Sequence, residues 1–149
     1  MERTFLMIKP DGVQRGLIGE IISRIERKGL RIVAMRMHRI TEDVARRHYA
    51  EHVKKPFFSS LVDFITSSPV VLMIAEGENA VAVMRTISGA TNPLEALVGT
   101  IRGDYGLDVG RNLIHSADSL ESAEREIAIH FTDSDIVEYT KAEETWVYE

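Results

Sequence analysis

Apolar positions along this chain recur at two different spacings, and each change of spacing marks the boundary of an element. Residues 4–9 form an apolar run closed by Lys9, the pattern of a strand buried on both faces. Pro10-Asp11-Gly12 predicts a turn. Over residues 16–28, Ile18, Ile21, Ile22 and Ile25 fall at i, i+3, i+4 and i+7, a helical stripe. Arg27 and Lys28 suit the negative end of its dipole, and Gly29 supplies the stop. Val33, Met35 and Met37 then share one face of a strand and Ala34, Arg36 and His38 the other, so this strand should be half exposed. Thr41 predicts a helix cap with Glu42 and Asp43 in the first turn. That helix should run to about Val53, because Pro56 disfavours a helical residue before it.

Further elements follow the same logic. A short helix spans residues 58–65, and the wholly apolar residues 70–75 read as a second central strand. Asn79 caps a helix that turns Ala80, Met84 and Ile87 inward and closes at Gly89. Leu113-Ile114-His115 supplies the final strand. A last helix starts at Ser119, with Leu120, Ala123, Ile127 and Phe131 on its apolar face. The order predicts an α/β (α+β), ferredoxin-like βαββαβ fold, with a four-stranded antiparallel sheet and helices on its faces. A long glycine-rich loop, residues 89–112, precedes the last strand with at most one helical turn. It carries Thr91, Asn92, Arg102 and Arg111, donors suited to an anion, and it leads directly to His115. The tail Trp146-Val147-Tyr148-Glu149 is too apolar for a free end and should dock.

Composition narrows the chemistry. With 149 residues, 44% hydrophobic and 28% charged, residues 1–149 are expected to form one domain with a real core. The absence of cysteine removes disulfides, thiolate nucleophiles and cysteine-bound metals. The first apolar stretch is too short for a signal peptide or membrane span, which predicts a cytoplasmic protein that binds no membrane. The net charge of −5 opposes general nucleic-acid binding and leaves a phosphate ligand dependent on local Lys and Arg.

Five histidines are candidates for catalysis. His38 and His130 have no distinctive neighbours in sequence. His48-Tyr49-Ala50-Glu51-His52 matches the H-x-x-E-H spacing of a zinc peptidase, but no third ligand is evident, and a surface helix with two incidental histidines is the plainer reading. His115 follows the glycine-rich loop and is flanked by Asn112, Asp118 and Ser119. Glu126 on the next helix is placed to fold back and orient its ring. No G-x-x-x-x-G-K-[ST] or G-x-G-x-x-G cradle exists, so side chains such as Lys9, Arg85 and Arg102 would have to hold any phosphate. Phe57 is either core or a stacking wall for a base.

The segments Thr4-Phe5-Leu6-Met7-Ile8-Lys9-Pro10-Asp11-Gly12-Val13, Thr91-Asn92-Pro93, Gly99-Thr100-Ile101-Arg102-Gly103-Asp104 and Gly110-Arg111-Asn112-Leu113-Ile114-His115, with their spacing, closely resemble the nucleoside diphosphate kinase family, nearly end to end. The resemblance implies ping-pong transfer of a γ-phosphoryl group from a nucleoside triphosphate to a nucleoside diphosphate, maintaining triphosphate pools. It implies His115 as phosphate carrier, with Tyr49 and Glu126 positioning it. Lys9, Arg85, Thr91 and Arg102 match phosphate-binding side chains and Asn112 a ribose contact, while Phe57, Leu61 and Val109 match the slot for the base. Mg2+ would arrive with the nucleotide, with no metal held by the protein itself, and the tail looks like that of hexameric members. One departure stands out, since the family's Gly-Ser-Asp-Ser after the histidine reads Ser116-Ala117-Asp118-Ser119 here, without the hydroxyl that bonds the carboxylate matching Glu126. The non-enzymatic alternative is a regulatory or nucleic-acid-binding protein on the same scaffold.

Overall fold

The computed structural model describes all 149 residues. In chain order the elements are β1 Glu2–Ile8, α1 Pro10–Gln14, α2 Ile18–Lys28, β2 Arg31–His38, α3 Glu42–His48, α4 Phe58–Thr66, β3 Val70–Gly77, α5 Ala80–Ser88, α6 Ile101–Tyr105, β4 Ile114–Ser116 and α7 Leu120–His130. The four strands form one antiparallel sheet in the order β2-β3-β1-β4. This is the ferredoxin-like arrangement. β1 and β3 occupy the middle and are buried on both sides, which explains why their sequences run apolar without alternation.

Alternate residues of the central strands feed two cores. Leu6, Ile8, Val71, Met73 and Ala75 pack with Ile21 and Ile25 of α2 and Met84 of α5. Phe5, Met7, Leu72 and Ile74 pack with Ala45 of α3 and Phe58, Val62 and Ile65 of α4. Gly29 ends α2 at φ 110°, a backbone conformation that a Cβ would strain. Thr41 caps α3 by accepting from the Val44 N–H, a contribution of about 1 kcal/mol.

Five details depart from the sequence reading. Pro10-Asp11-Gly12 opens helix α1 instead of a turn, because proline has its φ preset for a first helical position and no N–H to satisfy there. The helix begun at Thr41 stops at His48, and residues 50–52 form a separate 3-10 turn. Asn79 sits at the α5 cap position with φ 54° and makes no capping bond; the Glu2 carboxylate accepts from the Val81 N–H instead, at 2.7 Å. The loop before β4 contains both a 3-10 turn, Pro93–Glu95, and helix α6. Leu120 is 53% exposed, and the buried face of α7 is Ala123, Glu126 and His130.

The remaining elements agree more closely. Edge strand β2 is half exposed, with Met35 and Met37 open on one side beyond a bulge between Ile32 and Ala34. The tail docks in part: the Tyr148 hydroxyl accepts from the Glu78 N–H, and Val147 lies against Gly29, while Trp146 stays exposed.

Candidate active site

Three separate segments meet at the β4 end of β1. Lys9 leaves β1 and donates its backbone N–H to the Leu113 carbonyl. Leu113 adopts φ 76°, which costs a non-glycine residue about 1–2 kcal/mol. That conformation is held because the Asp11 carboxylate accepts the Leu113 N–H at 3.0 Å and the side chain is fully buried. Gly12 makes the approach possible, since a Cβ there would lie 3.0 Å from the Leu113 carbonyl oxygen and 2.7 Å from Ile8. The strained residue turns the loop into β4 and brings Asn112 and His115 beside Lys9.

The result is a pocket of about 590 Å³. Lys9, Phe57, Leu61, Arg85, Thr91, Arg102, Val109 and Asn112 all line it, together with His115 and Tyr49. Sequence reasoning passed over Ser60 and Phe64, weighed His52 only as a zinc ligand, and offered Arg111 only as one of the loop's donors to an anion. Phe57, Ser60, Leu61 and Phe64 fall at i, i+3, i+4 and i+7 along α4, so helical periodicity applied to that segment would have found the missing two. The Arg111 guanidinium lies 4.0 Å from the Phe64 ring centroid, a cation–π contact. No aspartate or glutamate lines this pocket.

Its cations are anchored before any ligand arrives. Arg102 is buried and donates to three backbone carbonyls, those of Gly89, Asn112 and Ile114. The guanidinium therefore ties the loop to β4 and keeps N–H groups in reserve. Burial, with Arg85 nearby, lowers its pKa to about 10. Asn112 accepts from Lys9 Nζ and donates to the Thr91 carbonyl at 2.9 Å. Burial lowers the Lys9 pKa to about 8, and Arg102 and Arg111 push the same way against Asp11.

Behind the pocket, His115 Nε2 is 2.8 Å from Glu126 Oε1, and Nδ1 has no partner within the chain. A carboxylate can only accept, so Nε2 carries the proton and Nδ1 presents a lone pair. The Tyr49 phenol has its pKa raised by burial and by Glu126, so it stays protonated. His130, without distinctive neighbours in sequence, and His48, read as one of two incidental histidines on a surface helix, are both buried, with His48 Nδ1 2.9 Å from His130 Nε2. Burial pushes both pKa values down, for His130 to about 4, so both rings are neutral near pH 7. The peptidase motif loses its basis, because α3 ends at His48 and His52 lies in the following 3-10 turn, off the helical face that motif requires.

The nucleoside diphosphate kinase family profile matches residues 2–136. The chain belongs to that family. It is 65% identical over 149 residues to a nucleoside diphosphate kinase of Archaeoglobus fulgidus, covering 100% of this chain and 99% of the other. A nucleoside diphosphate kinase of Methanosarcina barkeri is 61% identical with full coverage of both chains. Among solved structures, a halophilic nucleoside diphosphate kinase of Halobacterium salinarum in complex with CDP superposes with TM-score 0.97, at 53% identity and 99% coverage of each chain. Like other nucleoside diphosphate kinases, the chain is a phosphotransferase that moves the terminal phosphoryl group between nucleotides.

The departure from the nucleoside diphosphate kinase motif leaves a mark. Ala117 is fully buried, and Glu126 Oε2 is buried without a hydrogen-bond partner. Ser116 does not replace the missing hydroxyl, since its Oγ lies 3.3 Å from Ser88 Oγ instead of beside Glu126. A second, larger groove of about 1240 Å³ runs between α7 and the tail. Five carboxylates and no histidine line it, so it suits neither phosphate nor its transfer.

Proposed function

We propose that Nδ1 of His115 carries the phosphoryl group in a ping-pong exchange. The lone pair attacks the γ-phosphorus of a bound nucleoside triphosphate, the bond from that phosphorus to the bridging oxygen breaks, and the diphosphate leaves. A second diphosphate enters the same pocket and its terminal oxygen takes the phosphoryl group back, restoring the lone pair. The arrangement of His115 supports this reading most directly: Nε2 is fixed by Glu126 and Nδ1 is unpartnered beside a carboxylate-free, cation-lined pocket.

The other residues divide the remaining work. Lys9, Arg85 and Arg102 neutralise the phosphate oxygens, with Thr91 as a further donor. Phe57, half exposed at the pocket mouth, stacks on the base between Leu61 and Val109, and Asn112 bonds the ribose. Stacking, phosphate and ribose contacts are common to all nucleotides, so discrimination between bases should be small. Tyr49 and Glu126 position His115. The donor set of the pocket fits a magnesium ion carried in by the nucleotide, since without a carboxylate the protein offers no cage for a hard cation. When bound, Mg2+ neutralises phosphate charge; the side chains do the orienting.

The same reading takes residues 1–149 as one domain working in the cytoplasm; no helix is long and apolar enough to cross a membrane. It also takes the active form as a hexamer. Leu94, Leu97, Val98 and Leu107 on the loop are each at least 77% exposed, apolar surface that self-association would cover. A monomer or tetramer mass in light scattering would refute the hexamer. For the chemistry, the protein is incubated with Mg2+ and γ-labelled ATP, quenched in acid or chased with GDP. Acid-labile label that passes to GTP and is absent in His115→Ala is the expected result; label retained by that variant would reject the assignment.

A further inference from the structure

We propose that His48, His115 and Glu126 form a binding site for a zinc-type divalent cation, and that its occupancy blocks phosphoryl transfer. The site lies on the Glu126 side of the His115 ring. One ligand atom from each of the three residues lies within 4.8 Å of the other two. His48 Nε2 stands 3.8 Å from Glu126 Oε1, too far for a hydrogen bond, and His115 Nε2 lies 2.8 Å from the same oxygen. Ligand atoms around tetrahedral zinc are about 3.3 Å apart at bond lengths of roughly 2.0–2.1 Å. Side-chain shifts of about 1–1.5 Å therefore close the set without moving a helix.

Two observations point to a guest. His48 Nε2 and Glu126 Oε2 are both buried and both without any hydrogen-bond partner, a state that costs energy and that a bound cation would relieve. The supporting residues also have the form that metal-binding histidines require. His130 Nε2 sits 2.9 Å from His48 Nδ1 and can accept its proton, leaving Nε2 free for a metal. The His130 ring is itself fixed by parallel stacking on Phe5, 4.7 Å between centroids and 10° apart in plane.

A small polar pocket of about 140 Å³ reaches all three ligands. Glu51, Asp118 and Glu126 line it against Arg85 and Arg125, so three carboxylates face two guanidiniums and a dication is not repelled. Two imidazoles and one carboxylate suit zinc and its neighbours in the transition series. Magnesium, which takes oxygen donors, is excluded by the same donor set.

Inhibition follows from one proton. A cation on His115 Nε2 uses the lone pair of that nitrogen, so the ring's single proton must move to Nδ1. The nitrogen that faces the nucleotide then has no lone pair, and Glu126 is recruited as a ligand instead of an acceptor. This consequence rests on His115 Nδ1 being the nucleophile; the binding itself does not.

The test uses the full chain, nucleotide-free, with zinc buffered at known free concentration. Equilibrium dialysis should find one zinc per chain, weakened at least tenfold in His48→Gln and about 10- to 100-fold in His130→Phe. Long-range correlation spectra of 15N-histidine protein should show His115 change from the Nε2–H to the Nδ1–H tautomer as zinc saturates. Preincubation with zinc should slow phosphorylation by ATP in proportion to occupancy. Unchanged zinc affinity in His48→Gln, or zinc lost instead in His52→Gln, would overturn the site. So would a His115 that keeps its Nε2 proton at saturation, a readout that needs no variant to fold. Zinc bound with that tautomer change but without slower phosphorylation would reject the inhibitory step.

Discussion

On one side of the His115 ring lie Lys9, Arg85, Arg102 and Arg111 with no carboxylate among the pocket residues. On the other lie Glu126, His48 and His130, all buried. In the proposed mechanism the first side meets negative charge that arrives with a nucleotide; its cations donate to carbonyls or an amide oxygen and form no ion pair. The second side is made to define one tautomer, and it needs an acceptor that cannot donate. The His115 imidazole lies where the two meet, with Arg85, Tyr49 and His52 bordering both.

Glu126→Gln breaks this division most severely. An amide can accept through oxygen or donate through nitrogen, so His115 loses both its fixed tautomer and the negative charge that supports the developing cation. We expect phosphorylation of His115 to slow by about 10²- to 10³-fold with nucleotide affinity little changed, measured by rapid quench at saturating ATP. A loss under threefold would mean the buried side does not set the reactivity of the ring.

The cationic side is broken by pH. Lys9 has its pKa lowered from 10.5 to about 8, so as pH rises through 8 the free enzyme loses that charge. kcat/KM should therefore fall about tenfold per unit above pH 8, and Lys9→Met should remove that limb along with most of the activity. Stability moves the opposite way. Between pH 8 and 10.5 the unfolded chain holds the Lys9 proton that the folded chain has released, so the fold gains stability across that window as pH rises. A basic limb that survives in Lys9→Met would assign it to another group.

Phe57 tests a part of the pocket that carries no charge. The residue is 50% exposed, and in the proposed binding mode it stacks on the base, a contact worth about 1–3 kcal/mol per base. Phe57→Ala should raise KM by roughly tenfold, alike for purine and pyrimidine nucleotides, with kcat changed far less. A selective loss for one base would show that the wall reads more than a π-face.

How much of this was legible before the fold depends on what each residue faces. β1 and β3 were readable because a strand buried on both sides has an unbroken apolar run. Lys9, Arg102 and His115 were readable as chemistry because the segments that carry them resemble the nucleoside diphosphate kinase family in residues and spacing. α7 was read in part: Ala123, Ile127 and Phe131 do pack inward and Glu126 does reach His115, but Leu120 is exposed and buried His130 breaks the apolar pattern where the site requires polar atoms. His48 and His130 are 82 positions apart, and no local spacing announces a pair made only by packing α3 against α7. Arg102 shows the same limit: its type suggested phosphate, while its three carbonyl partners are set by how the loop closes on β4.

Ala117 is the smallest test and falls on the boundary between the two sides. The residue is fully buried beside Val81 and Ala123, and Glu126 Oε2 is buried without a partner, on the carboxylate that the family resemblance pairs with a hydroxyl at this position. A serine hydroxyl there would donate to Oε2, remove one unsatisfied buried atom and narrow the orientations open to the carboxylate. The added oxygen has to be fitted into a packed site, which costs part of the roughly 1–3 kcal/mol that satisfying a buried acceptor returns. Ala117→Ser is therefore expected to speed phosphorylation of His115 by about two- to fivefold at unchanged nucleotide affinity, corresponding to roughly 0.5–1 kcal/mol. The same hydroxyl competes for Glu126, so zinc affinity should fall in the same variant. An unchanged phosphorylation rate with weakened zinc binding would show that Oε2 is presented to the cation and that the catalytic orientation is already complete through Oε1 alone.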